Sequence, residues 1–158
     1  MSQILQEQTL KEQQFVVFIL AEELYGVDAA QVREITMVPE IISVPGTPGF
    51  VEGIINLRGQ MTTIIDLRKR FGLIEGQQSD QNRIIIIEKE GSSIGMAIDQ
   101  VIEVLRLPVT SIEDTPDLAR DVSLEYIKGV GKLADGTLLI IVDLEMVLSL
   151  EEVEGILR

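Results

Sequence analysis

The chain has 158 residues, 13 basic against 26 acidic side chains, and a formal net charge of −13. That length favours one compact unit or two small intimate subdomains. The acidity argues against nucleic acid and against independent docking on anionic membranes, where Lys and Arg supply the attraction. Cysteine and histidine are both absent, which removes disulfides, Cys/His zinc sites, histidine proton relays and cysteine nucleophiles. No cofactor and no metal are expected, and most enzyme classes are excluded.

Residues 1–14, "MSQILQEQTLKEQQ", are rich in Gln and Glu and have no long apolar core. They read as a flexible tail, neither a signal peptide nor a membrane span. No later stretch is long and apolar enough to insert into a bilayer, so a cytoplasmic protein is expected. Short runs dense in Ile and Val, bounded by Gly, Pro, Asp or Asn, follow in order and predict strands. They are "QFVVFIL" (14–20), "YGVDA" (25–29), "VREITM" (32–37), "GIINL" (53–57) and "MTTIIDL" (61–67). A polar connection, "EGQQSDQN" (75–82), divides the chain near its middle. Beyond it come "RIIIIEK" (83–89), "SIGMAID" (93–99), "VIEVLRL" (101–107), "YIKGVGKL" (126–133) and "TLLIIVD" (137–143). Helical pattern is confined to "LRKRFG" after Asp66 and to "LEMVLSLEEVEGILR" at the C-terminus. Ten short strands at close spacing predict an all-β fold of small barrels or sandwiches.

The two halves resemble each other. Gly26, Gln31, Val32, Glu34 and Ile35 recur 69 positions later as Gly95, Gln100, Val101, Glu103 and Val104, and Phe15 falls on Ile84. Further on, "GIINLRGQMTTIIDL" matches "GVGKLADGTLLIIVDL". Gly53 pairs with Gly129 and Asp66 with Asp143, and the second copy has one extra residue in its turn. Two copies are too few for a solenoid and fit an internal duplication giving two similar β-subdomains. The repeat halves span about residues 15–74 and 83–150, with residues 151–158 as a helical tail.

Asp66 and Asp143 sit where a strand gives way to a helical pattern, the place for a capping aspartate. A rival reading makes Asp66, Asp99 or Asp143 part of a carboxylate-dependent hydrolase, which needs two carboxylates converging in a pocket. "KGVGKL" (128–133) fails as a phosphate loop, because Tyr126 and Leu133 occupy positions that need Gly and Ser or Thr. In "VREI", strand alternation puts Val32 and Glu34 on one face and Arg33 and Ile35 on the other. In "NLRG", Gly59 supplies a positive φ for a tight connection, leaving Arg58 exposed at the tip.

Together, "YGVDAAQVREI", "VPGTPGFVEGIINLRGQMTTIIDLRKRFG", "IGMAIDQVIEVLRL" and "YIKGVGKLADGTLLIIVDLEMVL" resemble the CheW family of bacterial and archaeal chemotaxis coupling proteins. The match runs from Phe15 to about Leu150. It implies two five-stranded SH3-like barrels around a shared core, in a non-catalytic scaffold joining chemoreceptor signalling tips to the histidine kinase CheA. The resemblance carries kinase contact to Val32, Glu34 and Ile35, and a second kinase contact to Leu118, where the family commonly has an aromatic residue. It makes Arg58 an arginine needed for coupling, and assigns receptor contact to Ile84, Val101 and Val104. An adaptor of another chemosensory pathway, in pilus or surface sensing, would use the same surfaces.

Overall fold

The computed structural model describes residues 11–74, 76–114 and 124–148. Eleven strands run through them: β1 (Glu12–Leu20), β2 (Glu23–Asp28), β3 (Val32–Met37), β4 (Val51–Leu57), β5 (Gln60–Asp66), β6 (Arg83–Lys89), β7 (Ser92–Ile98), β8 (Gln100–Pro108), β9 (Ile112–Glu113), β10 (Ile127–Lys132) and β11 (Leu138–Val142). Two short helices follow β5 and β11, at Leu67–Arg70 and Leu144–Leu148. The ten expected strands are all present, with ends displaced by no more than two residues. The eleventh, β9, is only two residues long, too short to carry a hydrophobic period.

The strands form one sheet in the order β3-β6-β7-β5-β4 and another in the order β8-β1-β2-β11-β10-β9. Both are SH3-like barrels, and the duplication maps one order onto the other. The repeat shift equates β6 with β1, β7 with β2, β8 with β3, β10 with β4 and β11 with β5. Each barrel is therefore built from both halves of the chain. Strands β1 and β2 leave the first half to join β8–β11 in the second barrel, and β6 and β7 join β3–β5 in the first.

Both barrels close in corresponding places. In the first, Ile42 bridges Ile54 of β4 through paired backbone bonds of 2.9 and 2.8 Å. In the second, β9 pairs with β10, Glu113 lying opposite Val130. The ladders carry matching bulges as well. Glu52 is the extra residue in β4 and Lys128 in β10; Arg33 is extra in β3 and Ile102 in β8. A bulge adds one unpaired residue and bends its strand.

Three apolar clusters result. A central one gathers buried side chains of both barrels, including Phe18, Tyr25, Ile65, Ile85, Ile87, Met96, Ile140 and Val142. The second barrel has its own cluster of Phe15, Val17, Leu107, Leu139 and Ile141; the first has Ile55, Ile64, Ile84 and Ile86. Rings of Phe18, Tyr25, Phe71 and Tyr126 run through the central core, with neighbouring centroids 5.4–5.9 Å apart. Polar links cross the junction. The buried Arg70 guanidinium donates to the Val147 carbonyl at 3.1 and 2.9 Å and lies over the rings of Phe50 and Tyr126. Lys89 donates to the Leu148 carbonyl at 3.2 Å. These cations satisfy carbonyls that the last helical turn leaves open.

Candidate functional site

Of the residues singled out from the sequence, Val32, Glu34 and Ile35 lie on β3 and Val101 and Val104 on β8, strands at equivalent edge positions in the two sheets. On β3 exposure alternates as the sequence pattern requires. Val32, Glu34 and Thr36 are half-buried, while Arg33, Ile35 and Met37 face solvent. Val32 packs against the central core.

Arg58 reaches this edge from the turn between β4 and β5. Arg58 and Gly59 both have positive φ, 51° and 85°, the signature of a two-residue type I′ hairpin. The Asn56 side chain accepts from the Gly59 N–H at 2.8 Å and holds the turn. Arg58 is exposed as expected, with 66% of its side chain accessible against 26% for Glu34. Its guanidinium is nevertheless engaged: Nη1 donates to Glu34 Oε2 at 3.2 Å and Nη2 to Oε1, a two-pronged contact. That geometry is available to arginine and not to lysine. The Arg58 hydrogen bond holds the Glu34 carboxyl below its ordinary range, and Glu34 in turn raises Arg58. Arg33 adds bonds to Gln60 at 3.3 Å and to Glu88 at 3.5 Å. Glu34 and Arg58, expected as separate contacts, are thus partners within the chain.

On β8, Ile102, Glu103 and Val104 are all exposed in succession. Plain alternation cannot do that; the bulge sets Ile102 and Glu103 together opposite Val17, and among the described residues no arginine covers Glu103 as Arg58 covers Glu34 after the matching bulge in β3. Val101 is half-buried against the central core, whereas Val104 is 56% exposed. Ile84 departs from its expected role. It is fully buried inside the first barrel among Ile55, Ile64 and Ile86 and presents no surface to a partner. Leu118 lies outside the described residues. Ile102, Met37 and Met61, which no sequence motif singles out, are also exposed apolar side chains. For Ile102 a signal existed, since the 69-residue shift sets it against the charged Arg33.

The aspartates serve the fold. The Asp66 carboxylate accepts from the N–H groups of Arg68 and Lys69, at 3.0 and 3.3 Å; that of Asp143 accepts from Met146 at 3.2 Å. Asp99 accepts from the Ala21 N–H at 3.0 Å and from Arg68 Nε at 2.9 Å, with a second bond from Arg68 Nη2. Asp66, Asp99 and Glu52 line one shallow cavity, from which Asp143 is absent. Burial, and secondarily the neighbouring Glu52, push the Asp66 carboxyl above its ordinary value. Each aspartate accepts hydrogen bonds from backbone N–H groups, and Asp99 from an arginine as well. Among the described residues no cluster of three or more His, Cys, Asp or Glu is arranged to hold a metal. None of the described helices is long and apolar enough to cross a membrane.

Two SH3-like barrels around one core, with exposed edge strands carrying apolar and charged side chains, have the build of a scaffold protein. The CheW-like domain profile matches residues 14–152. The chain is 38% identical to the chemotaxis protein CheW of Klebsiella aerogenes over 141 residues, 89% of this chain and 84% of that protein. It is 36% identical to the chemotaxis protein CheW of Treponema pallidum over 146 residues, 89% of this chain and 85% of that one. The crystal structure of the scaffolding protein TtCheW from Thermoanaerobacter tengcongensis superposes with a TM-score of 0.84 at 38% identity, covering 94% of this chain and 95% of that chain. The chain belongs to the CheW family, the coupling adaptors of chemotaxis signal transduction.

Proposed function

We infer that this chain works without catalysis, joining the signalling tip of a chemoreceptor to the regulatory domain of the histidine kinase CheA. Through those partners it is recruited to receptor arrays at the membrane. The bulged edge of β3, with Val32, Glu34 and Ile35, meets the kinase; the bulged edge of β8, with Val101 and Val104, meets the receptor. The observation that carries this reading is the pair of exposed edge strands on separate barrels sharing one core. Each edge mixes apolar and charged side chains, the composition of a specific contact surface.

Arg58 acts through Glu34. By gripping both carboxylate oxygens it fixes the orientation in which β3 offers that charge. The test is kinase activity reconstituted from receptor, kinase and adaptor. Arg58→Ala should melt like the parent, since the pair is solvent-exposed, yet fail to confer receptor control on the kinase. Arg58→Lys should restore control in part, keeping the charge without the fork. Full receptor-dependent activity from Arg58→Ala would refute this role.

A further inference from the structure

The internal duplication supplies a comparison within one molecule. Glu34 and Glu103 are repeat mates, each following the bulge residue of its edge strand. In the first barrel the carboxylate is covered, because Arg58 at the hairpin tip holds it in a fork and the bulge residue beside it is the cationic Arg33. In the second barrel both cations are missing. The bulge residue is Ile102, and the β10–β11 turn, "LADG" (133–136), carries Asp135, whose carboxylate accepts from the Thr137 N–H at 2.9 Å. Among the described residues the Glu103 carboxylate has no hydrogen bond and no ion pair. It stands exposed between Ile102 and Val104, themselves 40% and 56% exposed.

A partner that covers Ile102 must also cover the carboxylate beside it, because the bulge sets both residues opposite Val17. Removing that charge from water without compensation costs more than the flanking apolar contact returns. The first barrel shows the solution on an equivalent backbone: an arginine delivered from outside the strand. We propose that the β8 edge recognises a basic side chain, arginine in preference to lysine, flanked by apolar residues on the receptor signalling tip, with Glu103 as its counter-charge. This rests on the reading of β8 as the receptor edge and adds the residue that selects the partner. The net charge of −13 favours approach of such a segment at low salt.

The experiment titrates a soluble receptor cytoplasmic fragment, and separately the kinase regulatory domain, against the full chain and three variants at low and high salt. Glu103→Gln should weaken receptor binding about tenfold and flatten its salt dependence, and Glu103→Lys should weaken it about a hundredfold. Kinase binding and the melting curve should stay unchanged, since the exposed Glu103 side chain takes part in none of the described hydrogen bonds or ion pairs. Val104→Asp, which spoils the apolar part of the edge, separates the two levels of inference. Loss of receptor binding with Val104→Asp but not with the Glu103 variants would overturn the cation proposal alone. Parental receptor binding by all three variants would overturn the assignment of β8 as well. Weakened kinase binding by Glu103→Gln, with receptor binding intact, would give the edge to the wrong partner and equally defeat the proposal.

Discussion

Gly53 and Gly129 are repeat mates at matching bulges, and alanine at the two positions should give very different costs. At Gly53 the backbone φ is +149° and an added Cβ would lie 2.1 Å from the Ile42 carbonyl oxygen. That oxygen belongs to the only bridge described between Ile42 and β4, the contact that closes the first barrel. Backbone strain of about 1–2 kcal/mol adds to the loss of two hydrogen bonds worth about 1 kcal/mol each, for a total of about 3–4 kcal/mol. For a chain of this size that lowers Tm by roughly 10–15 °C. At Gly129 no positive φ is needed, and the added Cβ would lie 3.0 Å from the Glu113 carbonyl oxygen, so a small strand shift suffices and the cost is about 1 kcal/mol. Differential scanning calorimetry on the two variants measures the contrast. A Gly53→Ala protein melting within about 3 °C of the parent, or equal losses from the two, would show that barrel closure does not depend on this contact.

Two further substitutions probe the polar framework. Asp66→Asn keeps an oxygen for the helix N–H groups, so it should exceed Asp66→Ala in stability by about 1 kcal/mol in urea melts. The sign of its pH dependence is also fixed. With the folded carboxyl raised by burial, the folded state holds the proton longer, so the parent loses stability as pH climbs from about 4, the unfolded value, through the higher folded one. Asp66→Asn should flatten that segment of the profile, and an unaltered slope would refute it. Arg70→Lys retains the charge but loses the two bonds to the Val147 carbonyl and the cover of two aromatic rings, so chemical denaturation should show a loss of about 2 kcal/mol. An unmoved midpoint would make this buried arginine dispensable.

The strands were legible because Ile and Val runs broken by Gly and Asp leave few alternatives. What lay beyond reach depended on contacts between distant segments. "RIIIIEK" shows the limit. Ile85 and Ile87 face the central core, while Ile84 and Ile86 face the interior of the first barrel. A strand buried on both sides has no two-residue period, so the run itself gave Ile84 no exposed face. Its mate Phe15 sits in the corresponding cluster of the other barrel, and the repeat already paired the two. Bulges escaped for a different reason. One inserted residue leaves composition untouched while shifting the pairing register, as at Arg33 in β3 and Ile102 in β8. The tight connection at Gly59 likewise exposed Arg58 correctly but could not name Glu34 as its partner, because β3 and the β4–β5 tip meet only when the barrel closes.

The exchange of strands between the halves bears directly on how an adaptor of this family can work. Had each half formed its own barrel, a linker of the composition of residues 75–82 would leave the two edges free to wander. Instead β1 and β2 complete the second barrel and β6 and β7 the first, so neither closes without both halves. The shared core then draws on both barrels, and Arg70, Lys89 and the Asp99–Arg68 pair fasten the seam in addition to it. A partner bound at β3 and another at β8 are therefore joined through packed strands rather than a tether. Packed interiors transmit small displacements because they deform little. Duplication supplied two similar edges, strand exchange fixed their relation, and the divergence of Arg33 and Arg58 from their counterparts made the edges chemically unlike. Two different partners can then be held in one geometry without competing for the same surface.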